Sequence, residues 1–135
     1  MPTFSRASLA HLAECDPRLQ RLAHEMIRYF DFSVIEGHRP KAEQDAAYAR
    51  GASQVKWPKS QHNKTPARAF DAAPFPIDWN SKATAIARFG LMGGVALVCA
   101  RQLGIKIRFG WDWNRNADPR DESFLDWPHI ELDEA

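Results

Sequence analysis

The sequence predicts an α+β domain in which a small antiparallel sheet packs against helices. Helical and strand-like segments follow one another without the regular alternation that builds a doubly wound sheet. The chain has 135 residues, of which 44% are hydrophobic and 26% charged, an ordinary composition for a globular domain with one core. It contains neither an internal repeat nor a low-complexity linker, so we expect a single domain spanning residues 1–135.

Two helices are predicted at the start of the chain. In the segment SRASLAHLAEC, the apolar residues Leu9, Leu12 and Ala13 recur at helical spacing. Asp16 and Pro17 then provide an N-cap followed by a proline in the first turn. This pattern predicts a second helix that continues through QRLAHEMIRYF.

A strand, a short helix and a long loop are predicted next. FSVIEG is a short buried-strand candidate that ends at Gly37, and RPKAEQDAAYARG is typical of a helix closed by Gly51. Residues 52–67 are polar and basic, and Pro58 and Pro66 interrupt them. We therefore expect a loop that is held by contacts with the rest of the fold.

The second half of the chain predicts three strands around one long helix. ARAFDAAPF is the first strand, and IKIRFGWDWN and LDWPHIEL are the later two. Between them, NSKATAIARFGLMGGVALVCARQLG has helix-start residues at Asn80 or Ser81 and apolar residues at helical spacing. Gly93 and Gly94 either weaken or split this helix, or allow it to pack closely against the sheet.

Charge and composition limit the classes of function. The formal net charge is +1, so the whole chain gives no electrostatic reason to expect nucleic-acid binding. Residues 39–68 carry seven Lys or Arg against two acids, whereas residues 118–135 carry seven acids against one Arg. A cleft that binds an anionic polymer and a cation would explain this asymmetry, as would a solvated basic loop and a solvated acidic tail.

The cysteines and the apolar segments give further limits. Cys15 and Cys99 are too few for a disulfide scaffold or a cysteine zinc site. The N-terminus lacks the apolar core of a signal peptide, and no uninterrupted run reaches the ~18 apolar residues that span a membrane. We therefore expect a protein that is made in the cytoplasm and has no stable membrane insertion.

Two histidines come with a carboxylate at a useful spacing. His62 precedes Asp71 by nine positions, and Asp126 precedes His129 by three in DWPHIEL. A hydrolytic zinc site takes three ligands from His, Asp and Glu and leaves a fourth position for water, and a nearby carboxylate can act as general base. A plain surface loop and a tight polar turn before an edge strand are the alternatives for these two segments.

The two segments together resemble a known family. SQHNKTPARAFDAAPF and DWPHIEL are similar to the motifs of LAS-type zinc peptidoglycan peptidases, which include D-alanyl-D-alanine carboxypeptidases and phage L-alanyl-D-glutamate endopeptidases. The matching positions are Ser60, His62, Ala69, Asp71, Asp126 and His129. The upstream segment EGHRPKAEQDAAYARG matches the family at Gly37, Arg39, Gln44, Tyr48 and Gly51. The resemblance covers residues 15–132 and implies a Hedgehog/DD-peptidase-like fold.

The resemblance implies a role for each residue of the site. His62, Asp71 and His129 would bind Zn²⁺, and Asp126 would be the general base. Arg39 would hold the developing oxyanion or a substrate carboxylate, although pairing with a nearby acid such as Glu43 or Asp45 is the alternative.

Four further residues are candidates for contact with substrate: Ser60, Gln44, Trp111 and Asp112. Ser60 suits a hydroxyl that fixes its loop better than a nucleophile, because His62 is engaged with zinc. Gln44 fits a helix face near Arg39 and can equally be structural. The FGWDWN segment resembles a family segment close to the active site, so its tryptophans form either a groove wall or the core and its rim.

One departure from the family concerns spacing. Eight residues separate His62 from Asp71, whereas the commoner family spacing is six with a glycine among them. The ligands stay together if NKTPAR bulges out as a turn before Ala69. They separate if Asp71 moves to the other face of its strand, because a one-residue slip reverses the side chain.

The resulting functional hypothesis is a zinc-dependent peptidoglycan peptidase that hydrolyses the stem peptide. An L-alanyl-D-glutamate endopeptidase that serves as a phage or prophage endolysin, monomeric and released to the cell wall by a holin, is the leading form. A D-Ala-D-Ala carboxypeptidase and a non-catalytic zinc-binding domain are the alternatives. A nuclease is disfavoured because the dense carboxylate cluster of a two-metal site is missing.

Overall fold

Four α-helices and one four-stranded sheet make up the described part of the chain, residues 2–80 and 82–133, in a computed structural model. The helices are α1 (Arg6–Ala13), α2 (Pro17–Met26), α3 (Lys41–Ala49) and α4 (Lys82–Leu103). The strands are β1 (Phe32–Glu36), β2 (Ala69–Pro74), β3 (Ile107–Phe109) and β4 (His129–Leu132). All neighbouring strands are antiparallel, in the order β1-β2-β4-β3. The predicted α+β fold is confirmed.

The helix ends follow the local chemistry of the sequence. The Asp16 carboxylate accepts a hydrogen bond of 2.9 Å from the backbone N–H of Arg18 and so caps α2. Pro17 occupies the first turn of that helix, as predicted. Gly51 follows the end of α3 with φ of +79°, a left-handed conformation that a glycine adopts without steric cost.

Helix α4 runs without interruption through Gly93 and Gly94. The reason is packing: a Cβ atom at Gly93 would lie only 3.1 Å from Cζ2 of Trp111, so the glycine lets the indole lie against the helix. The predicted close packing is therefore confirmed for Gly93, whereas a Cβ atom at Gly94 would meet nothing within 4 Å, and the alternative of a split helix is wrong. The helix begins at Lys82, and the predicted cap Ser81 lies outside the described residues.

Helix α4 is also unusually apolar. Within residues 2–80 and 82–133 it alone is long and apolar enough to cross a membrane, by length and composition, although no uninterrupted apolar run of that length occurs in the sequence. The most apolar stretch has a mean hydropathy of 1.7, and 33% of it is buried. The buried face of α4 packs against α2 and β2.

Two strands and one helix are shorter than the sequence predicts. β3 ends at Phe109 because the chain turns there: the Asp112 carboxylate accepts hydrogen bonds from the backbone N–H groups of Asn116 and Ala117. β4 begins only at His129, so residues 125–128 precede the sheet. α2 ends at Met26, and the residues after it form turns.

The sheet separates the hydrophobic core from a polar face. Side chains alternate along a strand, so adjacent residues point to opposite faces. Phe70 and Ile130 are cross-strand partners on β2 and β4, and both are buried in the core. Asp71 and His129, the next pair along the same strands, therefore project from the opposite face. The candidate site is built there.

Candidate active site

Three charged or polar side chains form a row across the sheet. Glu36 on β1 is opposite Asp71 on β2, and Asp71 is opposite His129 on β4. Directly opposed side chains of antiparallel strands lie within contact distance of one another. The strand register alone therefore brings Asp71 and His129 together.

His62 reaches this row from a short 3-10 turn, Gln61–Asn63. The Ser60 hydroxyl caps the turn by accepting a hydrogen bond of 3.2 Å from the backbone N–H of His62. The carbonyl of His62 accepts a second bond of 2.8 Å from the N–H of Arg39. The turn is thus fixed to the segment that follows β1, and the His62 ring is 1% exposed.

The long spacing between His62 and Asp71 is absorbed by a loop, as the bulge hypothesis predicts. The N–H of Arg68 donates to the carbonyl of Gln61 at 3.0 Å, which closes the loop at its base. Ala67, within the loop, donates to the carbonyl of Glu14 and accepts from the N–H of Asp16, at 2.9 Å each. The loop is therefore attached to the junction of α1 and α2, and β2 starts in the register that directs Asp71 towards His62.

The three side chains converge through one atom each. His62 Nε2 lies 3.2 Å from Asp71 Oδ1 and 3.1 Å from His129 Nδ1, and the latter two atoms are 3.3 Å apart. Donor atoms about 2.1 Å from a tetrahedral ion lie about 3.4 Å from each other. The spacing of these three donors therefore fits a single metal ion.

Hydrogen bonds on the far side of each imidazole fix which nitrogen faces the others. His62 Nδ1 lies 2.7 Å from the carbonyl oxygen of Gly37, and His129 Nε2 lies 2.8 Å from Glu131 Oε1. Both oxygens only accept, so these nitrogens carry the protons of the neutral rings. The lone pairs of His62 Nε2 and His129 Nδ1 then face the Asp71 oxygen, and a proton or a metal ion among the three atoms relieves the repulsion between them.

The pKa values of Asp71 and His129 also show that the cluster favours positive charge. Burial alone lowers the pKa of His129, but hydrogen bonds with Asp71 and Glu131 outweigh it and raise this pKa to about 10. Burial alone raises the pKa of Asp71, but the charges of the two histidines and their hydrogen bonds hold it well below its usual range. A proton on His129 or a bound metal ion satisfies the carboxylate in equivalent ways.

Asp126 lies beside the cluster, in the same cleft as His62 and His129. Its N–H donates to the carbonyl of Gly110 at 2.8 Å, and the N–H of Gly110 donates to the carbonyl of His129 at 2.9 Å. Gly110 has no room for a side chain, because a Cβ atom there would lie 2.3 Å from the Asp126 carbonyl oxygen. Burial, and then the negative charge of Asp71, raise the pKa of Asp126 to about 6.

Arg39 lines the cleft from the end of β1. Its guanidinium donates to Glu36, from Nε at 2.8 Å and also from Nη2, and Nη2 lies 3.7 Å from Asp71 Oδ2. The acidic partner is thus Glu36, and neither Glu43 nor Asp45 pairs with Arg39 in the described structure. Arg39 stands next to the proposed metal ligands as a fixed cation.

Gln44 is fully buried and does not line the cleft. Its carbonyl oxygen accepts from Arg39 Nη1 at 3.0 Å and from Asn63 Nδ2 at 3.2 Å. Its amide donates to the Ser53 hydroxyl and to the carbonyl of Val55. The predicted contact of Gln44 with substrate finds no support in this geometry, because both ends of its side chain are engaged in positioning other groups.

The aromatic wall of the cleft lies two residues beyond the predicted position. Trp111 packs against Phe109 and Trp127, and Asp112 caps the turn after β3, so neither lines the cleft. Trp113 lines it instead, stacked on Phe124 with 6.3 Å between ring centroids. Ser60 does line the cleft, although its hydroxyl is used in the cap of the His62 turn.

Glu131 and Arg108 are two of the cleft residues that the sequence analysis does not predict. Glu131 accepts from Arg108 at 2.8 Å through one carboxylate oxygen and faces His129 with the other. The sequence contains a signal for Glu131, because residues two positions apart on a strand lie on the same face and Glu131 follows His129 by two. The cleft that all these residues line has a volume of about 250 Å³.

Comparison with known proteins identifies the family. Residues 2–133 match the family described as phage L-alanyl-D-glutamate peptidase. The chain is 34% identical over 137 aligned positions to the L-alanyl-D-glutamate peptidase of Escherichia phage T5, covering 96% of each protein. Its fold superimposes on the crystal structure of the L-Ala D-Glu endopeptidase ChiX of Serratia marcescens with a TM-score of 0.74 and 25% identity, over 96% of this chain and 90% of ChiX.

The family match spans nearly the whole chain, and it includes every residue of the cluster and of the cleft described above. The chain therefore belongs to the family of phage L-alanyl-D-glutamate peptidases.

Proposed function

We propose that this protein is a zinc-dependent endopeptidase that cuts the bond between L-alanine and D-glutamate in the peptidoglycan stem peptide. The observation that carries the proposal is the convergence of His62, Asp71 and His129 beside the carboxylate of Asp126 in one cleft. The family and its named members support the choice of bond.

Zinc suits the donor set better than calcium or magnesium. Two imidazole nitrogens and one carboxylate oxygen are typical of hydrolytic zinc sites, which keep a fourth position open. Calcium and magnesium prefer sites made of oxygen donors alone. A zinc ion at this position supplies Lewis acidity, which polarises a carbonyl and makes a water molecule more acidic.

Asp126 is the proposed general base. Its raised pKa lies near neutral, which suits a group that takes a proton from water and returns it to the leaving amine. In the described structure, the side chain of Asp126 makes no hydrogen bond to the proposed metal ligands. A purely structural metal domain would have no use for a half-buried carboxylate held at this point, so we favour catalysis over the non-catalytic alternative.

Arg39 is proposed to stabilise negative charge on the scissile carbonyl oxygen. The guanidinium is held by Glu36 and Gln44, so it is oriented before substrate arrives. A donor that is fixed in advance needs no rearrangement as charge develops, and this gives it its catalytic value. Gln44 acts in this proposal by positioning Arg39 and the His62 turn.

The place of action follows from the substrate. We infer that the protein is a monomer that acts on the bacterial cell wall as an endolysin, after release from the cytoplasm through a holin-type lesion. Membrane insertion is not part of this proposal, because α4 contributes Phe89, Met92 and Ala96 to the core that supports the sheet. Nucleic acid is likewise not proposed as a partner.

Mass spectrometry of digested peptidoglycan tests the proposal. Purified stem-peptide fragments are incubated with the wild-type protein, with the protein in a chelator, and with the chelated protein after zinc is restored. We expect new D-glutamate amino termini with the wild type, none with chelator, and recovery with zinc. Release of terminal D-alanine instead would support the carboxypeptidase, and no new termini would contradict a peptidase.

A further inference from the structure

Among the described residues, three Lys or Arg side chains line the cleft: Arg39, Lys59 and Arg108. Two of them are neutralised within the protein. Arg39 is paired with Glu36 and lies near Asp71, and Arg108 is paired with Glu131 at 2.8 Å. Their charges are therefore balanced before any substrate binds.

Lys59 differs from the other cations of the cleft. Within residues 2–80 and 82–133, its ammonium group has no acidic partner, and its backbone N–H is held by the carbonyl of Lys56 at 2.8 Å. The neighbouring lysines are directed elsewhere: Lys56 lies over the ring of Tyr48 at 5.3 Å, and Lys64 donates to the carbonyl of Pro58. Of the three lysines in this loop, Lys59 is the one that lines the cleft.

The loop that carries Lys59 is not free to move independently of the site. Gln44 holds it through the Ser53 hydroxyl and the Val55 carbonyl, and the same Gln44 binds Arg39. Lys59 is also followed directly by Ser60, which caps the His62 turn. The backbone that carries Lys59 is therefore anchored beside the cleft, and its exposed side chain lines one wall.

The substrate of the proposed function carries a matching charge. The D-glutamate residue contributes its amino group to the bond that is cut, so neither of its two carboxyl groups belongs to that bond. In a stem that continues through the γ-carboxyl group, the α-carboxyl group is free and ionised at neutral pH. A cleft of about 250 Å³ is small enough that a group next to the scissile bond lies close to its walls.

We propose that Lys59 recognises the free α-carboxylate of the D-glutamate residue and makes the enzyme discriminate against stems in which this group is amidated. The inference rests on the proposed function. An ion pair of this kind forms equally in the bound substrate and in the transition state, so its loss acts mainly on KM. Arg39 is less suited to this task, because its charge is paired with Glu36 and the proposed function assigns it to the scissile carbonyl oxygen.

The test uses two synthetic peptides that differ only at one group. Both contain L-alanyl-D-glutamate extended through the γ-carboxyl group, and one has the α-carboxylate where the other has an α-carboxamide. The wild type, Lys59→Met and the control Lys56→Met are compared by kcat/KM. We expect the wild type and the control to prefer the carboxylate peptide by about tenfold, a typical value for one charge-assisted contact near the surface.

Lys59→Met is expected to cut the two peptides with similar kcat/KM, mainly through a higher KM for the carboxylate peptide. Lys59→Arg should restore the preference, and both variants should melt within about 2 °C of the wild type, as exposed substitutions do. Equal cleavage of the two peptides by the wild type, or a full preference in Lys59→Met, would overturn the inference and leave the proposed function intact. Failure of the wild type to cut either peptide would contradict the proposed function itself.

Discussion

Oδ1 of Asp71 lies 3.3 Å from Nδ1 of His129, and these residues are directly opposed across β2 and β4. The sheet therefore fixes two of the three proposed metal-binding atoms through backbone pairing, without help from loops. His62 adds the third atom from a capped turn that is itself tied to the N–H of Arg39. This division explains how a long loop between His62 and Asp71 leaves the site intact.

Removal of the charge on Asp71 should abolish tight metal binding. Asp71→Asn keeps the size of the side chain but takes away the anionic donor, so we expect zinc affinity to fall by at least about 100-fold. The measurement is zinc content after dialysis against a competing chelator. Asp45→Asn, on the exposed side of α3, is the matched control and should keep one zinc per chain. Full zinc retention by Asp71→Asn would remove Asp71 from the ligand set.

Asp126 should destabilise the metal-free fold at neutral pH. Its pKa is raised to about 6 by burial and by Asp71, so the folded state binds a proton more tightly than the unfolded state, whose carboxyl titrates near 4. The cost of ionisation therefore develops as pH rises from about 4 to about 6, and persists above it.

Asp126→Asn avoids this cost. In urea unfolding of the chelated proteins, the free energy of unfolding of the variant should exceed that of the wild type by roughly 1–3 kcal/mol at pH 8. The difference should shrink as the pH is lowered towards 4. A variant that is less stable than the wild type at pH 8 would contradict the pKa assignment.

Glu131 should strengthen metal binding without being a metal ligand itself. It accepts the proton of His129 Nε2 and so directs Nδ1 towards the other ligands. Loss of such a partner typically weakens metal binding by about 10- to 100-fold, and we expect Glu131→Gln to fall in this range. Competition titration with a zinc chelator measures the change, and Glu43→Gln on α3 serves as the control. Wild-type affinity in Glu131→Gln would show that His129 is oriented by other contacts.

Two glycine substitutions should have opposite effects. Gly110→Ala would place a Cβ atom 2.3 Å from the Asp126 carbonyl oxygen and 2.7 Å from His129 Cβ, so the Asp126 segment must shift.

Gly94→Ala meets nothing within 4 Å and replaces a helix-interior glycine, which should stabilise the fold by about 1 kcal/mol. Thermal unfolding and peptide cleavage are measured together. A fully active Gly110→Ala would show that the close approach does not position Asp126.

The sequence predicts the ligands better than the walls of the cleft. His62, Asp71, Asp126 and His129 lie in short motifs that resemble those of a peptidase family, so the sequence predicts them as site residues before their positions in the fold are known. Their convergence depends on the pairing of β2 with β4, which joins segments 58 residues apart in the chain. Local patterns carry no direct information about such a pairing.

The missed features depend on tertiary contacts of this kind. Trp111 and Trp113 are equivalent in an alternating pattern, and the choice between core and cleft was made by the turn that Asp112 caps. The helical pattern places Gln44 on a helix face, but the loop around Ser53 covers its side chain. Lys59 is indistinguishable from Lys56 in a basic loop until the fold shows which of them lines the cleft.

The central claim is that Asp126 acts as the base beside a metal held by His62, Asp71 and His129. The most direct measurement is kcat for cleavage of an L-alanyl-D-glutamate peptide by Asp126→Asn, with zinc content determined on the same sample. We predict one zinc per chain together with a kcat lowered by about 10²- to 10⁴-fold, the usual contribution of a general base. A zinc-loaded Asp126→Asn that retains the wild-type kcat would show that Asp126 is not the general base.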